Sequence, residues 1–326
     1  MNNPVLKKVI RKFAISVFTV LYAFLALSQA TFAWIILQDE LMLDNAELGV
    51  ISESNFYVSV DGENFSHSIT NEELSKVLKS RKLNDITSID GINFYEKDDN
   101  IKLKPRDNYI SFPLWFKTSE KVNGLFLVDN VTNKINYDVA TTENVDGTFV
   151  VSKGYNWTTD LDFDYGEKKV KSGDVLFCEA SNAVRIGIIE ADLDEKFGVN
   201  KKNNLRTIIF DPTENPDLGF GVKTGAFNYY NKKRKENIKV PDIMPNTLNS
   251  LSYFENPYET RDDSYICATF QEVKDEKGVP YYYTKIIVNI WVEGWDADCL
   301  DGILYDNVLI QLKFRGSNLT LNKLKK

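Results

Sequence analysis

The chain has 326 residues, 43% of them hydrophobic and 26% charged, with a formal net charge of -8. That balance excludes a disordered tail and leaves room for one large domain or two small ones. The acidity disfavours nucleic acid and anionic lipid as partners, because phosphate binding needs clustered cations.

The first element is a leader. Met1 to Lys12 carry Lys7, Lys8, Arg11 and Lys12 and no acid, and Phe13 to Leu37 form an apolar run without charge. This basic-then-apolar order predicts an exported N-terminal hydrophobic helix. Two readings of it stay open. Ser28-Gln29-Ala30 offers small residues where a leader peptidase needs them, which makes residues 1–30 a signal peptide cut before Thr31. Alternatively residues 13–37, long enough to span a bilayer, stay as an uncleaved membrane anchor. Either way the acidic body, residues 39–322, is expected outside the cytoplasm, secreted or membrane-anchored at the cell surface. The chain ends in "LTLNKLKK" with no second apolar segment, so attachment is expected from the front.

Past Asp39 the readable elements are mostly strands. Aromatics reach 13%, which suits half-buried pleated surfaces. "NFYVSV" (Asn55 to Val60) precedes the one clear helix, "TNEELSKVLKS", where Thr70 and Glu73 make a capping box and Leu74, Val77 and Leu78 an apolar stripe. In "YISFPLWFK", Ile110, Phe112, Leu114 and Phe116 alternate with Tyr109, Ser111, Pro113, Trp115 and Lys117, a period of two. Pro113 points to an edge or bulge. Further strands are expected at 124–128, 148–152, 175–180, 183–189 and 206–210. Residues Asp211 to Asp263, rich in Asn, Pro, Gly and Tyr, read as a long ordered insertion, since aromatics such as Phe227, Tyr229 and Tyr230 are unfavourable in water. Within it "NKKRKENIK" (Asn231 to Lys239) reads as a solvated loop. Tyr265 to Glu293 forms a hairpin turning at "DEKG", and "NVLIQLKFR" closes the set. The sum predicts an all-β fold: a single antiparallel, jelly-roll-like β-sandwich with a short helix and long insertions.

The leader and several strands carry a resemblance. "ATFAW" (Ala30 to Trp34), followed by an acidic stretch, resembles the T-x-A motif of Gram-positive exported proteins cut by a W-type signal peptidase. "YISFPLWFKTSE", "IIVNIWVEGWDADC" and "VLIQLKF" look like strands of surface proteins bearing that leader. The chain thus resembles the TasA/camelysin family of exported surface and biofilm-matrix proteins. The resemblance implies fibre assembly by donation of the mature N-terminal segment, Thr31, Phe32, Ala33, Trp34, Ile35, Ile36 and Leu37, to a neighbour's sheet. Its partners would then be its own subunits or other matrix proteins.

Chemistry-bearing groups are sparse. His67 is the single histidine and no H-E-x-x-H occurs, which disfavours the zinc hydrolysis described for some camelysin relatives. Cys178, Cys267 and Cys299 include no C-x-x-C pair. One bridge with a spare thiol and three buried thiols are both open. Asp160, Asp162 and Asp164 imitate the start of a calcium loop, but Lys171 stands where a bidentate Glu belongs. Asp296, Asp298 and Asp301 lie in one strand connection; crowded carboxylates need a screening cation or capping donors, so calcium is the one metal weighed there against a capped turn. No other cofactor is expected. Tyr281 to Tyr283, Trp157, Trp291 and Trp295 are candidates for stacking on sugars. The leading expectation is a structural, non-catalytic surface protein. A surface adhesin or carbohydrate-binding module is the alternative, and an exported hydrolase comes third.

Overall fold

The computed structural model describes residues 46–52, 56–78, 83, 85–96, 108–193, 206–213, 215–235, 239, 241–248, 251 and 266–317. The chain divides into two units, Met1–Leu41 and Met42–Lys326, and the described residues all fall in the second. The expected hydrophobic N-terminal helix, the expected cleavage residues Ser28, Ala30 and Thr31, and the expected donor segment Thr31 to Leu37 lie outside the described residues. None of the described helices is long and apolar enough to cross a membrane.

In chain order the first strands are β1 (Ala46–Ser52), β2 (Tyr57–Ser59), β3 (Ser68–Ile69), β4 (Asp85–Thr87), β5 (Tyr95–Glu96) and β6 (Ile110–Thr118). Next come β7 (Gly124–Leu127), β8 (Phe149–Ser152), β9 (Tyr155–Thr158), β10 (Phe163–Tyr165), β11 (Lys168–Val170) and β12 (Val175–Cys178). The last are β13 (Val184–Ala191), β14 (Thr207–Phe210), β15 (Thr247–Leu248), β16 (Ala268–Thr269), β17 (Gln271–Lys274), β18 (Pro280–Glu293) and β19 (Val308–Ser317). Among the described residues three α-helices join them: α1 (Asn71–Val77), α2 (Tyr137–Thr142) and α3 (Ala226–Arg234).

Two sheets dominate. The nine-stranded sheet runs β15-β14-β13-β18-β4-β5, with β17 also on β18, β6 beside β4 on β18, and β2 outside β6. The six-stranded sheet runs β16-β7-β19-β1-β3, with β8 also on β19. They meet face to face: the Phe116 ring of β6 lies 5.0 Å from the Phe314 ring of β19. The 14-residue β18 is the spine. Its register sets Ile286, Val288 and Ile290 beside Leu114, Phe112 and Ile110 of β6, and Val288, Ile290 and Val292 beside Ile188, Ile186 and Val184 of β13. All these side chains are buried, each contributing about 1.5–3 kcal/mol of hydrophobic stabilisation.

The far half of β18 is covered on its other face too. Ile86, Phe94, Tyr109, Ile209 and Trp291 form a second buried cluster there, with Phe94 stacked on Tyr109 at 3.9 Å and edge-on to Trp291 at 5.2 Å. This double coverage explains why "IIVNIWVEGW" reads as almost continuously apolar.

The β-rich sandwich fits the expected class, with three differences. Pairing is not antiparallel throughout: β1 with β19, β4 with β18 and β14 with β15 are parallel. Parallel neighbours need a long crossover, and the whole sandwich lies between β1 and β19. Second, α2 and α3 join the expected α1; both are short, and α3 lies in the insertion. Third, Asn231 to Arg234 belong to α3 and not to a loop, with Lys232, Lys233 and Arg234 in its last turn, where cations complement the helix dipole.

Elsewhere the local rules hold. Thr70 and Glu73 form both halves of the capping box, and "DEKG" turns β17 into β18, with Gly278 at φ +80. Pro113 lies on the half of β6 that β2, paired only with Trp115 to Lys117, leaves uncovered.

Candidate functional site

The end of β18 and its connection to β19 bury several acids, Glu293, Asp296, Asp298 and Asp306. The insertion stitches it in place: Phe220 bridges to Asp296, the Gly221 amide donates to the Trp295 carbonyl, and the Ala226 amide donates to the Ala297 carbonyl. Gly225, at φ +64, is needed here, because a Cβ would sit 2.2 Å from the Ala297 oxygen. Backbone closeness of this kind brings acids from distant segments together.

Arg185 of β13 stands among four buried carboxylates. It pairs with Asp211 at 2.8 Å and with Asp296, and donates to the carbonyls of Asn182 and Val184. Its side chain is only 3% exposed. Glu293 accepts from the Trp291 indole and the Trp295 amide, and Asp298 accepts from the Tyr165 hydroxyl. Burial opposes the charge of Arg185, but Asp296, Asp211 and Glu293 more than offset it and hold the guanidinium protonated. Burial pushes Asp296 up to about 8 against the attraction of Arg185, with Asp298 and Asp211 adding to the rise. Burial likewise raises Glu293 and Asp298. Such crowding makes these acids harder to ionise than free carboxyls.

The third aspartate belongs to another cluster. Asp301 accepts from the hydroxyls of Tyr229 and Tyr230, both on α3, and pairs with Lys233. The Tyr229 hydroxyl oxygen also lies 2.9 Å from an Asp160 carboxylate oxygen. The Tyr229 and Tyr230 hydroxyls are raised by burial first and by the Asp301 charge second, so they remain donors. The cluster clamps α3 against Trp157 and Phe163, each 5.2 Å from the Tyr229 ring.

The three aspartates weighed as a calcium site against a capped turn each have protein partners in this geometry. Asp296 turns to Arg185, Asp298 to Tyr165 and Asp301 to the α3 tyrosines and Lys233, because internal cations and hydroxyls supply what a metal would have supplied. Among the described residues no group of three or more His, Cys, Asp or Glu is placed to hold a metal ion. Asp162 and Asp164 pair with Lys171 and Lys169 on the β10–β11 hairpin. Phe163 is buried between them.

Sequence reasoning missed Arg185, Asp211 and Glu293. The signal was present in "AVRIGII": a lone arginine in an otherwise apolar strand requires a buried counter-charge. His67 is exposed, with Nδ1 3.1 Å from the Phe56 carbonyl. All three cysteines are free and buried, which favours separate thiols over a bridge.

The sugar-stacking candidates divide. Trp291 and Trp295 are buried and not presented to a ligand, while Trp157 is half-buried and packs edge-on against Tyr229. Tyr281 and Tyr283 are different. Register places Tyr57, Lys117 and Tyr283 in one row across β2, β6 and β18. Alternation then turns Tyr281 to the same face. His67 extends the row, its ring 4.5 Å from that of Tyr57, and Phe65 lies edge-on to Tyr283 at 6.1 Å. The Lys117 ammonium rests over these rings, 4.4 Å from Tyr281, 5.4 Å from Tyr283 and 5.7 Å from Phe65. Tyr57 is 40% exposed and Tyr281 and Tyr283 are half-buried. A shallow aromatic face fixed by a lysine therefore lines the outside of the nine-stranded sheet.

No family model, characterised protein or solved structure matches the chain.

Proposed function

We propose that the chain is a non-catalytic surface protein, carried across the cytoplasmic membrane by its basic and apolar front end and working there by binding. The observation that supports this reading most is the aromatic face around Lys117. Its rings stay accessible, whereas the polar groups of the β18–β19 connection are used up by one another. The adhesin or binding-module reading thus gains over the purely structural one.

Sheet edges weigh the same way. The Leu48 amide of β1 is capped by the Asn71 side chain and the Val150 amide of β8 by Thr132. Strands β3, β5, β15 and β16 have two residues each. Short and capped edges resist strand addition. Fibre assembly with Thr31 to Leu37 as donor keeps one favourable observation: the exposed β17 is paired only with β18 among the described residues, which leaves four residues as an acceptor edge. Electron microscopy of natively exported protein tests that reading, and monomers alone would remove it.

Cell fractionation followed by N-terminal sequencing tests the main proposal. We expect the body outside the cytoplasm, either starting at Thr31 or retaining the anchor. Recovery of the body from the cytosol would overturn it.

A further inference from the structure

Resting on the surface-binder reading, we infer that the aromatic face around Lys117 is a binding site for an extended, neutral polysaccharide chain. The inference starts from spacing. Tyr57 and Tyr283 occupy one row on strands that flank β6, so their backbones stand two strand spacings apart, about 10 Å. Two sugar rings in an extended glycan cover that length. Aromatic faces bind sugars through the apolar C–H side of the pyranose ring, and each Tyr keeps a hydroxyl for the rim.

The shape of the site sets the form of the ligand. The rings lie along a sheet face, which accepts a continuing chain and does not enclose a terminal sugar. His67 at one end of the row and Gln271, paired with Tyr283 at the other, are both exposed and supply polar groups for sugar hydroxyls. Lys117 holds the rings from the centre, its charge satisfied by the π faces it covers.

Charge sets the ligand class. The acids next to the row in sequence, Asp61, Glu63 and Glu120, are exposed, and the chain as a whole carries -8. A polyanionic glycan would meet repulsion at this rim, because Lys117 is held over the rings and Lys285 is buried over Trp115. A neutral glycan meets none.

Affinity electrophoresis of the full-length chain in mild detergent tests the site, with hydroxyethyl cellulose, arabinoxylan and mannan as neutral probes and polygalacturonate as the acidic one. We expect retardation by at least one neutral probe, and about tenfold weaker binding for Tyr57→Ala and for Tyr283→Ala. Phe177→Ala, which removes an exposed ring from β12 outside this face, should leave binding unchanged. Circular dichroism confirms that each variant is folded. The inference is overturned if no neutral probe binds, if only polygalacturonate binds, if the tyrosine variants bind as the parent does, or if a second copy of the chain covers the face. Any of these results with surface-located protein sinks the glycan site alone, whereas a cytosolic body sinks the surface reading whatever the gels report.

Discussion

Replacing Arg185 by Met tests the account of the buried polar network most directly. The substitution keeps much of the side-chain volume and removes the cation that Asp211 and Asp296 face. Breaking a buried pair by removing one partner costs about 3–5 kcal/mol, because the remaining charge is left uncompensated. Protonation offers an escape: without the guanidinium, the Asp211 and Asp296 carboxyls hold protons to higher pH, and each pH unit is equivalent to about 1.4 kcal/mol per proton. The loss should therefore approach about 3–5 kcal/mol at pH 8.5 and fall to roughly half of that at pH 5. Urea unfolding followed by the fluorescence of the buried Trp291 and Trp295 reads this out. Adding Asp211→Asn and Asp296→Asn to Arg185→Met removes the stranded charges and should recover most of the loss. A loss under about 1 kcal/mol, or one that does not change with pH, would refute the reasoning, since lost packing alone has no pH dependence.

Gly225→Ala puts a methyl group against the Ala297 carbonyl at a positive φ and should cost about 2–4 kcal/mol in the same assay. Asp301→Ala removes the acceptor shared by Tyr229, Tyr230 and Lys233; limited trypsin digestion should then cut after Lys232, Lys233 or Arg234 much faster than in the parent. Burial pushes the Cys178 and Cys267 thiols up to about 12, so a thiol reagent at pH 8 should label the folded chain slowly and all three cysteines once it is unfolded. Fewer than three labelled thiols in the unfolded, unreduced chain would reveal a bridge.

What the sequence disclosed follows the range of the forces involved. The capping box at Thr70 and Glu73, the "DEKG" turn and the alternation in β6, β18 and β19 are local, and each is legible because its partners sit within a few residues. The parallel pairing of Ala46 with Val308 was not legible, since nothing in "AELGVIS" names a partner at the other end of the chain. The aspartates of "EGWDADCLDG" were found, but what they do depends on Arg185, placed by the pairing of β13 with β18, on Tyr165 of β10 and on Lys233 of the insertion. A cluster of acids reads as a metal site until the distant cation is placed beside it. The aromatic face was half-visible: Tyr281 and Tyr283 stood out, whereas Tyr57, Phe65 and Lys117 join them only once β2 and β6 are set beside β18. Alternation says which residues share a face within a strand, and only register says which strands share it.

Two sets of carboxylates pull the pH dependence of stability in opposite directions. Glu293, Asp296 and Asp298 are raised by burial, Asp296 from its ordinary 3.8 to about 8. Between those limits Asp296 in the folded chain holds a proton that the unfolded chain has released. The contribution of the raised set is fully present below the ordinary carboxylate range and is lost as pH rises through the folded values, that of Asp296 as pH approaches 8. The second set is lowered. Asp61 and Asp90 overcome some desolvation through hydrogen bonds with Asn64 and Asn93, and Glu73 is lowered chiefly by the Thr70 amide. Those contributions are present above the ordinary carboxylate range and are lost as pH falls through it. Exposed groups of the second set are screened by solvent, so the buried set governs the neutral range. Stability should then peak near pH 5 and decline towards pH 8, by up to about 1.4 kcal/mol per pH unit for each buried proton released. Urea midpoints measured from pH 4 to pH 9 decide the matter. Stability that does not fall between pH 5 and pH 8 would mean that the acids around Arg185 are ionised in the folded chain, and the proton-sharing network would have to be replaced by a fully charged one.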